Sequence, residues 1–363
     1  MEIGIPVERH PSEYRVGLTP QWVRQLTQEG HRCYIERDAG RGAGFQDTDY
    51  ERVGARVVYD AHEVYERADL VLKVGAPTLE ELALLRHEQT ICAFWHLAAR
   101  PREVVQALLD KGITAIAYEM IQLDDGGLPV LHPLSEIAGR MIPQIAARWL
   151  QNDGGGAGTL LGGIAGTPPS DIIILGAGTV GLNAAKTFLG LGARVIMLDT
   201  NLERLQYVEE RFNGQIATMM AYDYNVARVA QFANVLVGAV LIPGTRTPIV
   251  VTREMVRNMR PHSLIMDVSI DQGGCVETSR PMTHDSPVFV EEGVLHYCVP
   301  NMPGVVARTA THAYLNAAWP YIDQIVNHGV KATMNAYPAL RRAVAIHDGV
   351  VDDQRLAALV QGA

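Results

Sequence analysis

Two hydropathy periods share this chain. Short apolar runs of the β type (MEIGIPV, RCYIERDAG, ADLVLKVGAP, QTICAFWHLA, ITAIAYEMI) alternate with helical stretches such as TPQWVRQLTQEG, whose apolar positions fall on one face. That alternation predicts a parallel sheet with helices on its faces. Over 133–150, PLSEIAGRMIPQIAARWL keeps helical spacing and predicts a long helix, with Ser135 as N-cap, leading from the first domain to the next. The glycine-rich GGGAGTLLGGIAGTPP that follows has no strand before it and reads as a loop, not a nucleotide site. From Asp171 the alternation resumes through DIIIL, VIMLD, QIATMMAY, ANVLVGAVLIPG, SLIMDVSID and VLHYCVPN, the strands of a second sheet. After Pro303-Gly304, VVARTATHAYLNAAWPYIDQIVNHG predicts a long helix that breaks near Pro320 and returns to the first domain. The expectation is an α/β protein of two Rossmann-like, doubly wound domains. Residues 1–132 plus 306–363 form a discontinuous substrate-binding and catalytic domain, residues 133–305 a nucleotide-binding domain, and the active-site cleft lies between them.

The sharpest local signal sits where the second sheet begins. The run DIIIL flows into Gly176-x-Gly178-x-x-Gly181, a small-residue helix opens at Thr179-Val180, and the next strand ends in Asp199, eighteen positions past Gly181. In a dinucleotide turn the first glycine permits the tight bend, the second lets backbone approach a pyrophosphate, and the third lets helix lie close on strand. Phosphates rest on free N–H groups at the helix N-terminus. A carboxylate at Asp199 accepts the ribose hydroxyls of NAD and repels the 2′-phosphate of NADP, with Arg204 as the nearby residue that softens the preference. The expected cofactor is NAD.

Composition narrows the function class. At 363 residues, 48% hydrophobic and 20% charged, the chain suits two soluble domains. No apolar stretch approaches the about eighteen residues of a membrane span, and no secretory signal is visible. The expectation is a cytoplasmic protein without membrane contact. A net charge of −9 with dispersed basic residues argues against nucleic acid. The four cysteines are scattered, without a CxxC pair, so neither disulfides nor a metal site is expected.

A dehydrogenase built on such a nucleotide site needs a cation if its substrate is an anion, an acid/base group, and a pocket that aligns the reacting atoms. Arg15, with a fork suited to a carboxylate, and Lys73, near a strand end and able as a point charge to reach either a carbonyl, as a catalytic group, or a carboxylate, are the cationic candidates; either residue type is also found as a solvated surface charge. His96, at the end of QTICAFW, is an acid/base candidate, an imidazole being able to donate in one direction and accept in the other; His132 is its rival. Asp271, in the DQGG turn, is placed to orient ribose, water or His96, or simply to cap the turn. Asn301 offers a neutral donor near the substrate, or a turn former.

The motifs carrying these residues resemble the alanine dehydrogenase family, which shares its fold with the NAD-binding subunit of proton-translocating transhydrogenase. The resemblance covers nearly the whole chain: EYRVGLTP around Arg15, VLKV around Lys73, HLAA after His96, HPLSEIAGRM around Ser135, LLGGIAG, GAGTVG, GAVLIPG, IDQGGC around Asp271, TSRPMTH, and HYCVPNMPG around Asn301. It implies reversible oxidative deamination of L-alanine to pyruvate and ammonium with NAD, in a homo-oligomer, hexamer or dimer. It assigns the substrate carboxylate to Arg15 and Lys73, acid/base work to His96 (only the HLAA match favours it over His132), orientation to Asp271, and a cofactor contact to Ser135. The chain departs from the family pattern at Phe94-Trp95, at His132, at Gly75-Ala76 after the lysine, at Ala307 to Thr311, and at Asp223. These departures leave open a related dehydrogenase of another small 2-amino or 2-imino acid. A transhydrogenase-like NAD-binding subunit is the further alternative, against which Asp271 and His96 argue.

Overall fold

The computed structural model describes residues 1–97, 100–242 and 245–351. Residues 98 and 99 of the HLAA motif, 243 and 244 of GAVLIPG, and everything past 351 lie outside the described residues. The chain divides into two compact units, Met1–Leu134 with Pro303–Ala363, and Ser135–Met302. Each is the α/β layer structure that the alternation predicts.

Among the described residues the first unit holds an eight-stranded sheet in the order Val350–Val351, Val344–His347, Thr114–Ala117, Thr90–Phe94, Leu70–Gly75, Glu2–Ile5, Arg32–Glu36, Arg56–Val58. The six strands from Thr114–Ala117 onward are parallel, and the Val344–His347 edge is antiparallel. Parallel strands covered on both faces read as continuous apolar runs; in Leu70–Gly75 every residue but the last is buried. The second unit holds a seven-stranded sheet, Val288–Glu291, Val294–Tyr297, Leu264–Asp267, Val235–Gly238, Asp171–Leu175, Arg194–Asp199, Ala217–Met220, antiparallel only at the Val288–Glu291 edge.

Two local expectations fail against packing. Ser135 is not an N-cap: the helix runs His132–Trp149 and takes Ser135 into its first turn. Pro133, whose missing N–H and fixed φ suit the opening of a helix, lets it start at His132, ahead of the expected cap. Nor does Pro320 break its helix, which runs Ala307–His328 without interruption. Interior proline costs about 3 kcal/mol, but burying Ile322 and Ile325 returns roughly 3–6 kcal/mol, and Trp319 stacks on Trp22 at 4.3 Å. Both halves of the helix are therefore held in line.

Candidate active site

In the first sheet, Glu2–Ile5 and Leu70–Gly75 are neighbours, yet the chain leaves the former toward Arg32–Glu36 on one side and the latter toward Thr90–Phe94 on the other. Ligands of open α/β sheets bind at such switch points, beyond the strand C-termini. The loop after Glu2–Ile5 carries Glu8, Glu13 and Arg15, and it is pressed onto the neighbouring strand: a Cβ on Gly17 would collide with the Leu72 carbonyl.

Lys73, in that strand, is not a solvated charge. Its side chain is fully buried, with Nζ 2.8 Å from Glu81 Oε1 and 3.4 Å from Glu8 Oε2. Glu81 belongs to the capping box of helix Leu79–Leu84; it also accepts from Thr78 N–H at 2.9 Å and Tyr65 Oη at 3.0 Å. Glu8 accepts from Val74 N–H at 2.6 Å and Gly75 N–H at 3.2 Å. Burial disfavours a charge on all three side chains. For Lys73 the two carboxylates outweigh it and raise the ammonium above its ordinary value. For Glu81, burial is overcome by the Lys73 charge and the hydrogen bonds it accepts, and its carboxyl lies below the usual range. For Glu8 burial prevails and pushes the carboxyl up. Arg15 is held the same way: the buried guanidinium donates from Nε to Glu13 Oε1 at 2.7 Å and from Nη2 to Glu13 Oε2. The pairing fixes the position of a charge that could not stand alone in the interior.

The departures around these residues have packing causes. A Cβ on Gly75 would lie 2.9 Å from the His10 ring, whose Nε2 is 2.7 Å from the Ala76 carbonyl oxygen; the small pair makes room for His10. Trp95 is fully buried among Tyr65, Leu82 and Ile91. Phe94 packs edge-on against Tyr118 and Tyr314, ring centroids 5.4 and 6.0 Å away. His96 follows, half-buried, its backbone in the left-handed region at φ 47°. Side chains with Cβ avoid that region, and functional sites are where such strain collects. His132 opens its helix with its side chain exposed.

The second unit brings Asp271 and Asn301 together. Buried Asp267 accepts from the N–H groups of Ser269, Cys275 and Val276 at 2.9–3.1 Å, folding the Val268–Gln272 turn that presents Asp271; burial raises the Asp267 carboxyl. The Asn301 N–H donates to Asp271 Oδ1 at 3.1 Å, and Asn301 is also left-handed, at φ 54°. Asp223, another of the departures, opens helix Asp223–Ala230.

The GAGTVG turn lies at the second sheet's own switch point, between Val235–Gly238 and Asp171–Leu175. Gly176 has φ 107° and lies against the Ala239 carbonyl, and a Cβ on Gly181 would sit on the Gly176 carbonyl oxygen. Gly178, ahead of helix Thr179–Gly190, has nothing within 4 Å of its Cβ direction. Thr179 and Val180 form the first turn of that helix. Asp199 accepts from Ala177 N–H at 2.7 Å and Asn201 N–H at 2.8 Å, and Arg204 Nη1 lies 3.8 Å from it. One turn past Ser135, Gly139 meets this helix so closely that a Cβ would stand 2.7 Å from Asn183 Cβ.

Comparison with known proteins accords with this geometry. Residues 4–138 match the family "Alanine dehydrogenase/PNT, N-terminal domain", and residues 143–354 match "Alanine dehydrogenase/PNT, C-terminal domain". The chain belongs to the alanine dehydrogenase/PNT family. Among the family's members, the alanine dehydrogenase of Mycobacterium tuberculosis is 42% identical over 98% of this chain and 96% of its own. A solved L-alanine dehydrogenase structure matches with a TM-score of 0.92 and 43% identity over 99% of both chains. The transhydrogenase of Sinorhizobium meliloti, 24% identical with a TM-score of 0.80 over 98% of this chain and 99% of its own, shares the fold.

Four acidic residues of this family member are not among those singled out in the sequence: Glu8, Glu13, Glu81, and Glu119, whose side chain accepts from the Trp95 and His96 N–H groups. Glu13, two residues before Arg15, and Glu81, the N3 residue of a Thr-x-x-Glu capping box, each had a local signal. Glu8 and Glu119 are brought in by sheet neighbours and had none. Among the described residues no cluster of histidine, cysteine or acidic side chains could hold a metal, and no helix is long and apolar enough to cross a membrane.

Proposed function

We infer that the protein is an NAD-dependent alanine dehydrogenase that interconverts L-alanine with pyruvate and ammonium. The observation that carries this reading is the pair of buried, carboxylate-anchored cations, Arg15 and Lys73, at the switch point of a chain that matches alanine dehydrogenases over nearly its full length. Arg15 and Lys73 bind the substrate carboxylate, and holding it in one orientation makes the chemical step effectively unimolecular. His96 takes a proton in the deaminating direction and returns it in the reverse. Asp271 and Asn301, joined by a hydrogen bond, orient the reactants. Gly176, Gly178, Thr179, Val180, Gly181 and Asp199 hold the dinucleotide, with Arg204 beside the acid and Ser135 as a further contact; bound NAD supplies the hydride acceptor. The protein works as a cytoplasmic homo-oligomer, hexamer or dimer.

NADH formation at alkaline pH, measured with NAD and with NADP across twenty amino acids, is expected only with L-alanine and NAD. Turnover of a different amino acid overturns the substrate assignment. NAD binding without turnover of any amino acid overturns the enzymatic reading. Gly181→Ala tests the nucleotide turn: placing a methyl on the Gly176 carbonyl forces the helix off the strand, an overpacking cost of about 1–3 kcal/mol. It is expected to weaken NAD binding about ten- to a hundredfold by titration calorimetry.

A further inference from the structure

We propose that Glu119 is a positioning residue for His96, an inference that rests on the reading of His96 as the acid/base group. The strands Thr90–Phe94 and Thr114–Ala117 pair in parallel, with Ala93 opposite Ala117. Beyond that pair the ladder ends, leaving the N–H groups of Trp95 and His96 without a strand to receive them. Buried backbone donors need acceptors, and here a side chain provides both. The Glu119 carboxylate, almost wholly buried in the turn Tyr118–Met120, accepts from Trp95 N–H through Oε2 at 3.1 Å and from His96 N–H through Oε1 at 2.6 Å.

The other groups of Trp95 are also engaged. Its carbonyl accepts from Arg100 Nε at 3.3 Å, and its indole lies in the core with Nε1 3.4 Å from the Ile91 carbonyl oxygen. Burial lowers the Arg100 guanidinium while the Glu119 charge works in the opposite direction, so the carboxylate has a cationic neighbour. His96 sits at the end of this clamp at φ 47°, a conformation that persists only where the surroundings over-determine it. Two charge-assisted hydrogen bonds, one per carboxylate oxygen, are the local constraint on the backbone from which the imidazole projects. An amide cannot substitute for the carboxylate: it has one acceptor oxygen, and its NH2 would face a second N–H donor.

Glu119→Gln keeps the volume and removes this two-point acceptance. It is expected to lower kcat for alanine about a hundredfold, the effect of displacing a reacting group by about 1 Å. KM for alanine and the Kd for NAD should stay within about threefold. Independently of activity, the His96 amide proton is expected far downfield in the NMR spectrum of the wild-type protein, because it faces a carboxylate, and is expected to move upfield in Glu119→Gln. Wild-type kcat in Glu119→Gln, or an unmoved His96 amide, overturns the positioning role. Should Glu119→Gln fail to fold, Glu119→Asp, shorter but with both acceptors, carries the same two readouts. An inactive His96→Asn beside a fully active Glu119→Gln sinks this proposal and leaves the acid/base reading intact. If His96→Asn retains full activity, the acid/base reading falls, and the amide shift alone decides whether Glu119 sets the His96 backbone.

Discussion

Replacing Lys73 by methionine is expected to cost about 3–5 kcal/mol of stability, lowering the melting temperature of the first unit by on the order of 10 °C, besides abolishing alanine turnover. Methionine fills nearly the same volume, so the loss is electrostatic: two buried carboxylates, Glu8 and Glu81, would face each other without the ammonium that lies 3.4 and 2.8 Å from them. The deficit should depend on pH in a defined direction. In the wild type the Glu81 carboxyl is depressed, so its contribution is present above the ordinary glutamate value and is lost as pH falls through the folded one. Glu8, whose carboxyl is raised, behaves in the opposite way, and its contribution is lost as pH rises through its folded value. Without Lys73 both carboxyls move up, so the variant gains stability on acidification where the wild type loses the Glu81 share. Thermal unfolding at pH 8 and pH 5 should therefore show the gap between the two proteins narrowing at pH 5. Adding Glu81→Gln should recover part of the loss, because it removes one uncompensated charge. An equal gap at both pH values would show that the cluster is not held by charge.

What could be read from the sequence followed how locally each feature is encoded. Strands buried on both faces appear as unbroken apolar runs, so both sheets were visible, whereas the strand order that places GAGTVG beside Val235–Gly238 was not. Gly176 and Gly181 each answer to a constraint within a few residues or at the adjoining strand end. Lys73 was readable as a residue but not as an environment: its partner Glu8 arrives from the neighbouring strand's loop, and Glu81 is hidden behind its helix-capping role. Glu119 had no signal at all, since its task is created by the end of a strand ladder. Ser135 and Pro320 are the opposite case. Their local rules are real, but Pro133 at one helix start, and Trp319, Ile322 and Ile325 along the other helix, decided the outcome. The departure at Phe94-Trp95 left open a smaller substrate pocket or a packing role; Trp95 lies in the core, with Phe94 set against Tyr118 and Tyr314.

His96→Asn is expected to lower kcat by about 10²–10⁴-fold, the span that a positioned acid/base group contributes, with NAD affinity unchanged. Asparagine is the informative replacement because of the backbone. At φ 47° an alanine pays the left-handed penalty of about 1–2 kcal/mol, whereas asparagine tolerates that region, so His96→Asn removes the imidazole and leaves the loop in place. His96→Ala should then show the same chemical defect plus a lower melting temperature, and the difference between the two variants measures the strain carried at this residue. Asn301, at φ 54°, provides an internal comparison: there the native residue already suits the conformation, so Asn301→Ala should lose stability along with the side-chain contact. If His96→Asn and His96→Ala are equally stable and both retain near wild-type turnover, the imidazole is not the acid/base group, and His132 becomes the histidine to replace next.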